Sequence, residues 1–297
     1  MIPRLFTLVN GNSETYDITS TDTFFHEPEG LGYQKTNTYH RIGKRYILID
    51  SVIDQPTISG KIAFVGSYPY ESYSSFIDFC KYEPLILEYT PDIEGAPYGY
   101  ISSTTYRIPV VISKIEKTEI EEQGYLDVGI EFQGLSPWYK YVDLDNGDPN
   151  EKVEPLIWGI TWGVQFGYNP FSNGIISDGN PNSPAKLTIY GPIVNPTWSL
   201  YLDGNKVSDG GFNISTYGDF ILSEDENLVI DNTVMPYSIT KVNVKTGEIE
   251  NVYSKSDFMT TRFINLDPGK NIVVIKDQNG DNYYNARLEA YLYYDTV

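Results

Sequence analysis

Apolar residues recur at every second position in most hydrophobic segments of the chain, a period typical of β-strands that bury one face. In the first half of the chain this pattern predicts strands at residues 2–9, 45–53, 56–65, 84–90, 104–120 and 124–134. Residues 19–44 are polar and have no clear period. A loop of that length inside a compact domain is usually functional or an interaction arm, so we expect one of these roles for it.

The period changes to that of a helix in one segment, residues 67–83. Pro69 suits the first turn of this helix, where its missing N–H has no intrahelical partner in any case. The apolar side chains fall on one helix face, and they are Tyr70, Tyr73, Phe76, Ile77 and Cys80. We expect this face to pack on a sheet, with Cys80 as a small core residue rather than a reactive thiol.

The second half of the chain shows no convincing helical pattern after residue 150. Short apolar segments there are separated by turn signals, among them Asp203-Gly204, Thr246-Gly247, Pro268-Gly269 and Asn279-Gly280. A succession of short strands with regular turns favours a β-sandwich of jelly-roll type. The predicted fold class is therefore mainly β, with one α-helix in the first half.

The stretch FQGLSPWYKYVDLDNGDPN, residues 132–150, lies between the two halves. Pro137 cannot donate to a strand ladder, so we expect the last strand of the first half to end before it. We expect Trp138 and Tyr139 to be buried against the first domain, and the acidic residues after them to form a solvated linker. The predicted domains are residues 1–140 and 141–297, with a linker at about 140–152.

Acidic residues outnumber basic ones by 40 to 21, which gives the chain a formal net charge of −19. A protein that binds nucleic acid by neutralising phosphates needs a basic surface, so the charge argues against that class of partner. An acidic surface suits a protein that lets DNA pass without holding it, because like charges repel. The single cysteine excludes an intramolecular disulfide framework and a multi-cysteine zinc site.

Membrane and export signals are missing from the sequence. No segment approaches the roughly 18 apolar residues of a membrane span. The N-terminal residues, MIPRLFTLVNGNSETYDI, lack the apolar core of a signal peptide. We therefore expect no membrane partner and synthesis in a cytoplasm.

Candidate catalytic and metal-binding residues are few. The two histidines, His26 and His40, lie in the polar segment before the second strand, and neither belongs to a zinc-protease or nucleophile-elbow motif. A calcium loop starting at Asp143 would have glycine as its fifth ligand and aspartate where the turn requires glycine. The loop starting at Asp277 fails the same test, and both stretches fit turns better. We expect no catalytic residue, no metal and no cofactor.

Evenly spaced aromatic residues at 158–168 suggest an alternative binding function. Trp158 and Trp162 fall on the same strand face as Phe166 and Tyr168, and aromatic rings can stack on sugars. The same alternation is typical of side chains that line a sandwich core, so a lectin face and a core both remain open. An acidic glycosidase would need two converging carboxylates, and with 40 acidic residues the sequence offers no way to single out a pair.

The order of the parts along the chain is itself informative. The helix and strand in PYESYSSFIDFCKYEPLILEY precede the paired-strand block YRIPVVISKIEKTEIEEQGYLDVGIEFQG and the junction Ser136-Pro137-Trp138-Tyr139. The all-β half then contains the turns GPIVNP at 191–196 and LDPGKN at 266–271. No single motif is diagnostic, but their order over most of the chain resembles that of the distal tail proteins of siphophages.

This resemblance implies a structural virion protein of the phage tail tip, without enzymatic activity. It implies an N-terminal belt domain, a split barrel with the helix packed on it, that forms a homohexameric ring around a central channel for DNA. The C-terminal domain would be a galectin-like sandwich that docks receptor-binding or baseplate proteins. The other implied partners are the major tail tube protein and a tail-associated lysin-type hub protein, in a virion assembled in the bacterial host cytoplasm. The alternative is a carbohydrate-binding protein that recognises host cell-wall saccharide through the C-terminal sandwich.

The substitution Trp162→Ala separates a lectin face from a sandwich core. If the indole stacks on sugar, the variant loses retention on cell-wall glycan and keeps its stability. If the indole is part of the core, the variant loses roughly 3–5 kcal/mol of unfolding free energy through the cavity it leaves. Glycan pull-down and urea denaturation of the same preparation measure both quantities.

Overall fold

The computed structural model describes residues 4–91, 104–117, 124–145, 174–212 and 218–297. Within these ranges the chain forms 23 β-strands, one α-helix and one short 3₁₀ helix, so the predicted mainly β class with a single α-helix is confirmed. The chain divides into two compact units, residues 1–140 with 293–297 and residues 141–292. No helix in the described ranges has the length and hydropathy needed to cross a membrane.

The first unit is built from antiparallel strands and the helix. Its elements are β1 (Leu5–Val9), β2 (Thr15–Asp17), β3 (Thr23–Glu29), β4 (Lys35–Ile42), β5 (Arg45–Ile53), β6 (Thr57–Val65), α1 (Pro69–Cys80), β7 (Leu85–Thr90), β8 (Tyr106–Lys117), β9 (Tyr125–Gly134) and the start of β10 (Trp138–Asp145). The main sheet has the order β2-β1-β7-β8-β9-β6-β3, and β10 pairs with β8. The pair of β4 and β5 forms a separate two-stranded sheet.

The main sheet of the first unit curves back on itself but does not close into a barrel. At the open seam, the Ile18 N–H donates to the Phe6 carbonyl (3.1 Å) and the Ile18 carbonyl accepts from the Phe25 N–H (2.6 Å). Ile18 and its neighbour Thr19 therefore link β1 to β3 where a closed barrel would have a continuous ladder. This arrangement is a split barrel, as predicted.

The core of the first unit follows the alternation seen in the sequence. In β9 every second residue is buried, namely Leu126, Val128, Ile130, Phe132 and Gly134. The helix α1 lies against β6, and its central contact is Phe76, whose ring is 5.7 Å from that of Phe64 and 5.3 Å from that of Tyr16. Phe76 is fully buried, while Tyr70, Tyr73, Ile77 and Cys80 pack partly buried around it. The predicted packing of the helix face on a sheet is confirmed.

The prediction of a long loop at residues 19–44 is wrong. The structure has two strands there, β3, which pairs with β6, and β4, which pairs with β5. Every residue of β4 is exposed, so its sequence KTNTYHRI has no buried face to produce an apolar alternation. A strand in a hairpin forms its ladder through main-chain hydrogen bonds to its partner, whatever its side chains. An apolar residue at every second position indicates that one strand face is buried, and a strand without a buried face does not show it.

The second unit contains two main sheets. Its elements are β11 (Ile175–Ser177), β12 (Ser183–Tyr190), β13 (Ile193–Val194), β14 (Thr197–Leu202), β15 (Asn205–Gly211), β16 (Ile221–Leu222), β17 (Glu226–Asp231), β18 (Ser238–Asn243), β19 (Ile249–Asn251), a 3₁₀ helix (Tyr253–Lys255), β20 (Asn265–Leu266), β21 (Gly269–Lys276), β22 (Asn282–Tyr283) and β23 (Ala286–Tyr294). One sheet includes β19-β18-β17-β12-β23 and the other β11-β21-β14-β15. Buried apolar residues recur at every second position in both sheets, as in Leu187 and Ile189 of β12 and Trp198 and Leu200 of β14. This two-sheet architecture agrees with the predicted sandwich.

The junction between the halves differs in part from the prediction. Trp138 and Tyr139 are buried, 1% and 7% exposed, as expected. The strand β10 continues from them to Asp145, so the predicted linker at 140–152 begins as strand. The rest of that segment lies outside the described residues.

We predict that Phe76→Ala lowers the unfolding free energy of the first unit by roughly 3–5 kcal/mol, because it leaves a cavity between α1 and β6. Urea denaturation followed by tryptophan fluorescence measures the change. The matched control is Ser74→Ala on the exposed face of the same helix, which we expect to change stability by no more than about 0.5 kcal/mol. Equal effects of the two substitutions would contradict the packing described above.

Candidate functional site

The hairpin β4–β5 is the most unusual surface of the first unit. Every residue of both strands is exposed. Large apolar side chains are nevertheless frequent in it: Tyr39, Ile42, Tyr46, Ile47, Leu48, Ile49, Val52 and Ile53. A two-stranded hairpin with no covered face is at best marginally stable in water. Contiguous exposed apolar surface of this kind is typical of a protein–protein interaction site.

Local sequence explains why these residues form a hairpin. The ladder runs from Lys35 opposite Ile53 to Ile42 opposite Arg45, with Gly43 and Lys44 as the turn. Gly43 has a φ of +62°, a left-handed conformation that a glycine adopts without steric cost. The Arg41 Nε donates to the Gly43 carbonyl at 2.9 Å, which holds the turn.

The tip of the hairpin is basic in a strongly acidic chain. Arg41, Lys44 and Arg45 surround the turn, and residues 30–49 contain no aspartate or glutamate. Within the described residues, no carboxylate lies within ion-pair distance of Lys44 or Arg45. The tip therefore carries positive charge that no carboxylate of the described residues compensates.

A cleft of about 410 Å³ lies at the other end of the same hairpin. We call it the basal cleft. Its walls are the hairpin base, the turn after β9, Trp138 and the segment that follows β23. The residues that line it include Tyr33, Asp54, Leu135, Pro137, Trp138 and Asp295. Two hydrogen bonds fix the hairpin base to the end of β9: Gln55 Nε2 to the Gly134 carbonyl (2.9 Å) and the Gly134 N–H to the Pro56 carbonyl (2.8 Å).

The indole N–H of Trp138, a residue in the wall of the basal cleft, has no hydrogen-bond acceptor among the described residues. The Nε1 atom of this indole is buried. Leaving a buried donor without an acceptor costs about 1–3 kcal/mol. Trp198, an equally buried indole in the second unit, instead donates to the Arg262 carbonyl at 2.7 Å. The two buried indoles therefore differ in whether their N–H has an acceptor among the described residues.

The histidines do not form a recognisable catalytic site. His26 lies in β3 with its Nε2 2.9 Å from Asp127 Oδ1. No serine or cysteine hydrogen-bonds to His26 within the described residues. His40 lies in the exposed β4 strand of the hairpin. The described part of the chain holds no group of three or more histidine, cysteine or acidic residues arranged to bind a metal ion.

The two acidic stretches tested for calcium are engaged in other contacts. Asp143 accepts two hydrogen bonds from Arg287, at 2.6 and 3.0 Å, which raises the pKa of the guanidinium. The Oδ1 atom of Asp277 accepts from the main-chain N–H groups of Asn279 (2.9 Å) and Asp281 (3.0 Å), so this segment is a turn, as predicted. The other residues of the loop that starts at Asp143 lie outside the described ranges.

Trp158 and Trp162, proposed above as a lectin face, also lie outside the described residues, as do Phe166 and Tyr168. Residues 19–44, which include β4, were expected to be a functional loop or an interaction arm, but a β-hairpin was not predicted there, and the basal cleft was not predicted at all. The sequence did contain a signal for the hairpin tip: the basic turn Ile42-Gly43-Lys44-Arg45 lies in a segment without acidic residues. No sequence signal was available for the cleft, because its walls come from segments far apart in the chain.

Comparison with known proteins assigns the fold. Residues 5–135 match the family model described as the N-terminal domain of the distal tail protein. Two structures of the phage P2 baseplate in its activated conformation, with Ca and with Sr, each contain a chain that aligns with a TM-score of 0.60. The identities are 15% and 16%, and the alignments cover 100% and 99% of this chain and 100% of those chains. The Dit (gp 19.1) protein of phage SPP1 aligns with a TM-score of 0.55 and 8% identity over 97% of this chain and 98% of its own. No curated protein matches the chain.

Together with the split barrel and its single helix, these matches define a structural component of a phage tail. Residues 5–135 match the N-terminal domain of distal tail proteins, and the whole chain is similar in fold to the phage P2 baseplate chains and to the SPP1 Dit protein.

We predict that Cys80 is unreactive in the folded protein. Burial raises the pKa of its thiol to about 12, and the thiolate is the nucleophile, so its fraction at pH 8 falls by roughly a thousandfold. Ellman's reagent at pH 8 should modify Cys80 at least a hundredfold more slowly in the native protein than in urea. The native rate should rise about tenfold per pH unit up to the pKa. Equal native and unfolded rates would contradict the core assignment.

Proposed function

We propose that six copies of this chain form a ring at the distal end of a phage tail, joining the tail tube to the tip or baseplate. The observation that carries the proposal is the hairpin β4–β5, a strand pair that exposes all its residues, including a row of large apolar side chains. Such a hairpin requires a covering surface. A neighbouring copy in a ring supplies one for every hairpin, since each copy meets the same environment.

The charge of the chain supports a role around DNA. With a net charge of −19, the chain has no surface excess of cations to hold phosphates. In the proposed ring, acidic groups face the central channel and keep DNA from adhering during passage. No catalytic step is part of this function.

The proposed partners follow from the family and from the relatives. The phage P2 structures are of baseplates, and the SPP1 protein is described as a paradigm of the hub adsorption apparatus in phages that infect Gram-positive bacteria. By analogy, the first unit forms the ring and contacts the major tail tube protein and a tail-associated lysin-type hub protein. The second unit faces outwards and docks receptor-binding or baseplate proteins. Assembly takes place in the host cytoplasm.

We predict a species of roughly 200 kDa in solution, six copies of the 33.7 kDa chain, or a smaller oligomer that becomes six-fold when a tail partner is added. Light scattering coupled to size exclusion measures the mass, and negative-stain images show the symmetry. A monomer that binds purified cell-wall glycan would overturn the proposal and support the lectin alternative.

We predict that Ile49→Ser in the hairpin weakens the oligomer by about tenfold or more, because it removes apolar surface that the next copy buries. The matched control is Ile249→Ser in the second unit: both isoleucines lie in strands and are 62% and 67% exposed. The control should leave the oligomer unchanged. Both monomers should unfold at similar temperatures, since neither side chain is in a core. An equal loss of assembly in the two variants would remove the hairpin from the ring contact.

A further inference from the structure

We propose that a cleft of about 360 Å³ on the second unit binds a neutral saccharide. We call it the sheet cleft, and the residues that line it include Thr197, Ser199, Tyr201, Gly211, Asp257 and Lys276. Small-molecule sites in proteins are usually clefts of about 300 to 1,000 Å³, so the sheet cleft has room for one sugar ring. The site lies within a single copy of the chain and does not depend on ring formation.

The floor of the sheet cleft carries hydroxyl groups. Trp198 and Leu200 of β14 are buried in the core. Side chains alternate along a strand, so Thr197, Ser199 and Tyr201 point to the opposite face. Their hydroxyl groups have no hydrogen-bond partner among the described residues. A hydroxyl group both donates and accepts, which suits a ligand that itself carries several hydroxyl groups.

A glycine keeps the sheet cleft open, and a fixed wall closes it on one side. Gly211 of β15 pairs with Thr197 in the ladder, and a Cβ atom on it would lie 2.8 Å from the Thr197 Cγ2. The wall is the segment after the 3₁₀ helix. Its Asp257 N–H donates to the Gly211 carbonyl at 2.9 Å, and its Arg262 N–H donates to the Asp209 carbonyl at 2.8 Å. The cleft is therefore formed before any ligand binds.

Main-chain pairing is not available to a ligand in the sheet cleft. The strand β14 pairs with β15 on one side and with β21 on the other. An extended peptide adds to the free edge of a sheet, and β14 has no free edge along this ladder. A ligand here is therefore recognised by side chains.

The charges in the sheet cleft balance. Its charged residues are two lysines and two aspartates. Lys206 and Asp209 form an ion pair at 2.5 Å. The exposed Lys276 has no ion pair or hydrogen bond among the described residues. Asp257 accepts from the Met259 N–H at 2.9 Å through its Oδ1 atom only.

This set of groups matches a neutral ligand with many hydroxyl groups. A cleft without net charge does not select a phosphate or another strongly charged group. Lys276 can donate to a sugar hydroxyl and Asp257 can accept from one, while the floor hydroxyls do both. The half-buried Tyr201 ring offers apolar surface to the C–H groups of the sugar.

Saturation-transfer NMR on the full chain tests the sheet cleft, with the methyl glycosides of glucose, galactose, mannose, rhamnose and N-acetylglucosamine as probes. We expect transfer to at least one glycoside and its loss in Ser199→Val, which removes a floor hydroxyl and adds bulk with a residue that suits a strand. The matched control is Ser238→Val, a change at another half-buried serine in a strand. The control should bind as the wild type does.

Each other outcome overturns the sheet cleft as a saccharide site. Transfer to none of the glycosides does so, and so does transfer that survives in Ser199→Val. Loss of transfer in Trp162→Ala but not in Ser199→Val would place saccharide binding on the aromatic segment at 158–168. Poly(glycerol phosphate) is the charged probe, and binding of this polymer without binding of any glycoside would overturn the neutral ligand.

A lysine pair tests the donor in the sheet cleft. We expect Lys276→Met to weaken glycoside binding about tenfold, because it removes a charged hydrogen-bond donor. The control is Lys270→Met, a change at an exposed lysine on the same face of the same strand but outside the cleft. Both variants should keep the thermal midpoint of the wild type. Wild-type affinity in Lys276→Met would overturn the donor role.

The results for the sheet cleft and for the proposed ring are independent. A six-copy species by light scattering that binds no glycoside keeps the ring and loses the cleft. A chain that stays monomeric with every tail partner and binds a glycoside through Ser199 loses the ring and keeps the cleft.

Discussion

The need to cover the hairpin β4–β5 is the constraint on which the rest of the molecule depends. Among the described residues its two strands pair only with each other, and both faces of the ribbon are exposed in the single chain. A folded monomer gains little from ordering these residues, because two-stranded ribbons bury too little surface to offset the entropy of fixing them. The sequence nevertheless concentrates isoleucine, leucine, valine and tyrosine there. That distribution is stabilising only when another molecule covers the ribbon.

The remainder of the first unit holds this ribbon in a fixed position. The buried residues of β9 and the packing of Phe76 on Phe64 keep the main sheet rigid. The end of β9 is then tied to the hairpin base through Gly134. Trp138 follows one turn later and forms the wall of the basal cleft. An arm attached in this way would point in one direction in every copy, as the proposed ring requires.

The sequence predicted the elements whose apolar pattern is produced by burial, and failed for a strand that has no residue buried in its own chain. The helix α1 was found because Tyr73, Phe76 and Cys80 face the core at helical spacing. The strand β4 was missed because none of its residues faces the core of its own chain. Trp138 was correctly predicted to be buried, from its place beside Pro137. That its Nε1 would lack an acceptor was not predicted, because the groups around the indole come from segments as distant as residues 54 and 295.

The net negative charge of the chain opposes the association of several copies. Each copy brings nineteen net negative charges, and bringing six copies together raises their mutual repulsion. Salt screens this long-range repulsion effectively, since the Debye length is about 8 Å at physiological ionic strength. Moderate salt therefore relieves the repulsion that any assembly of this chain has to overcome. The clustering of Arg41, Lys44 and Arg45 at one turn is then understandable, because cations spread over the surface would reduce the repulsion without specifying a contact.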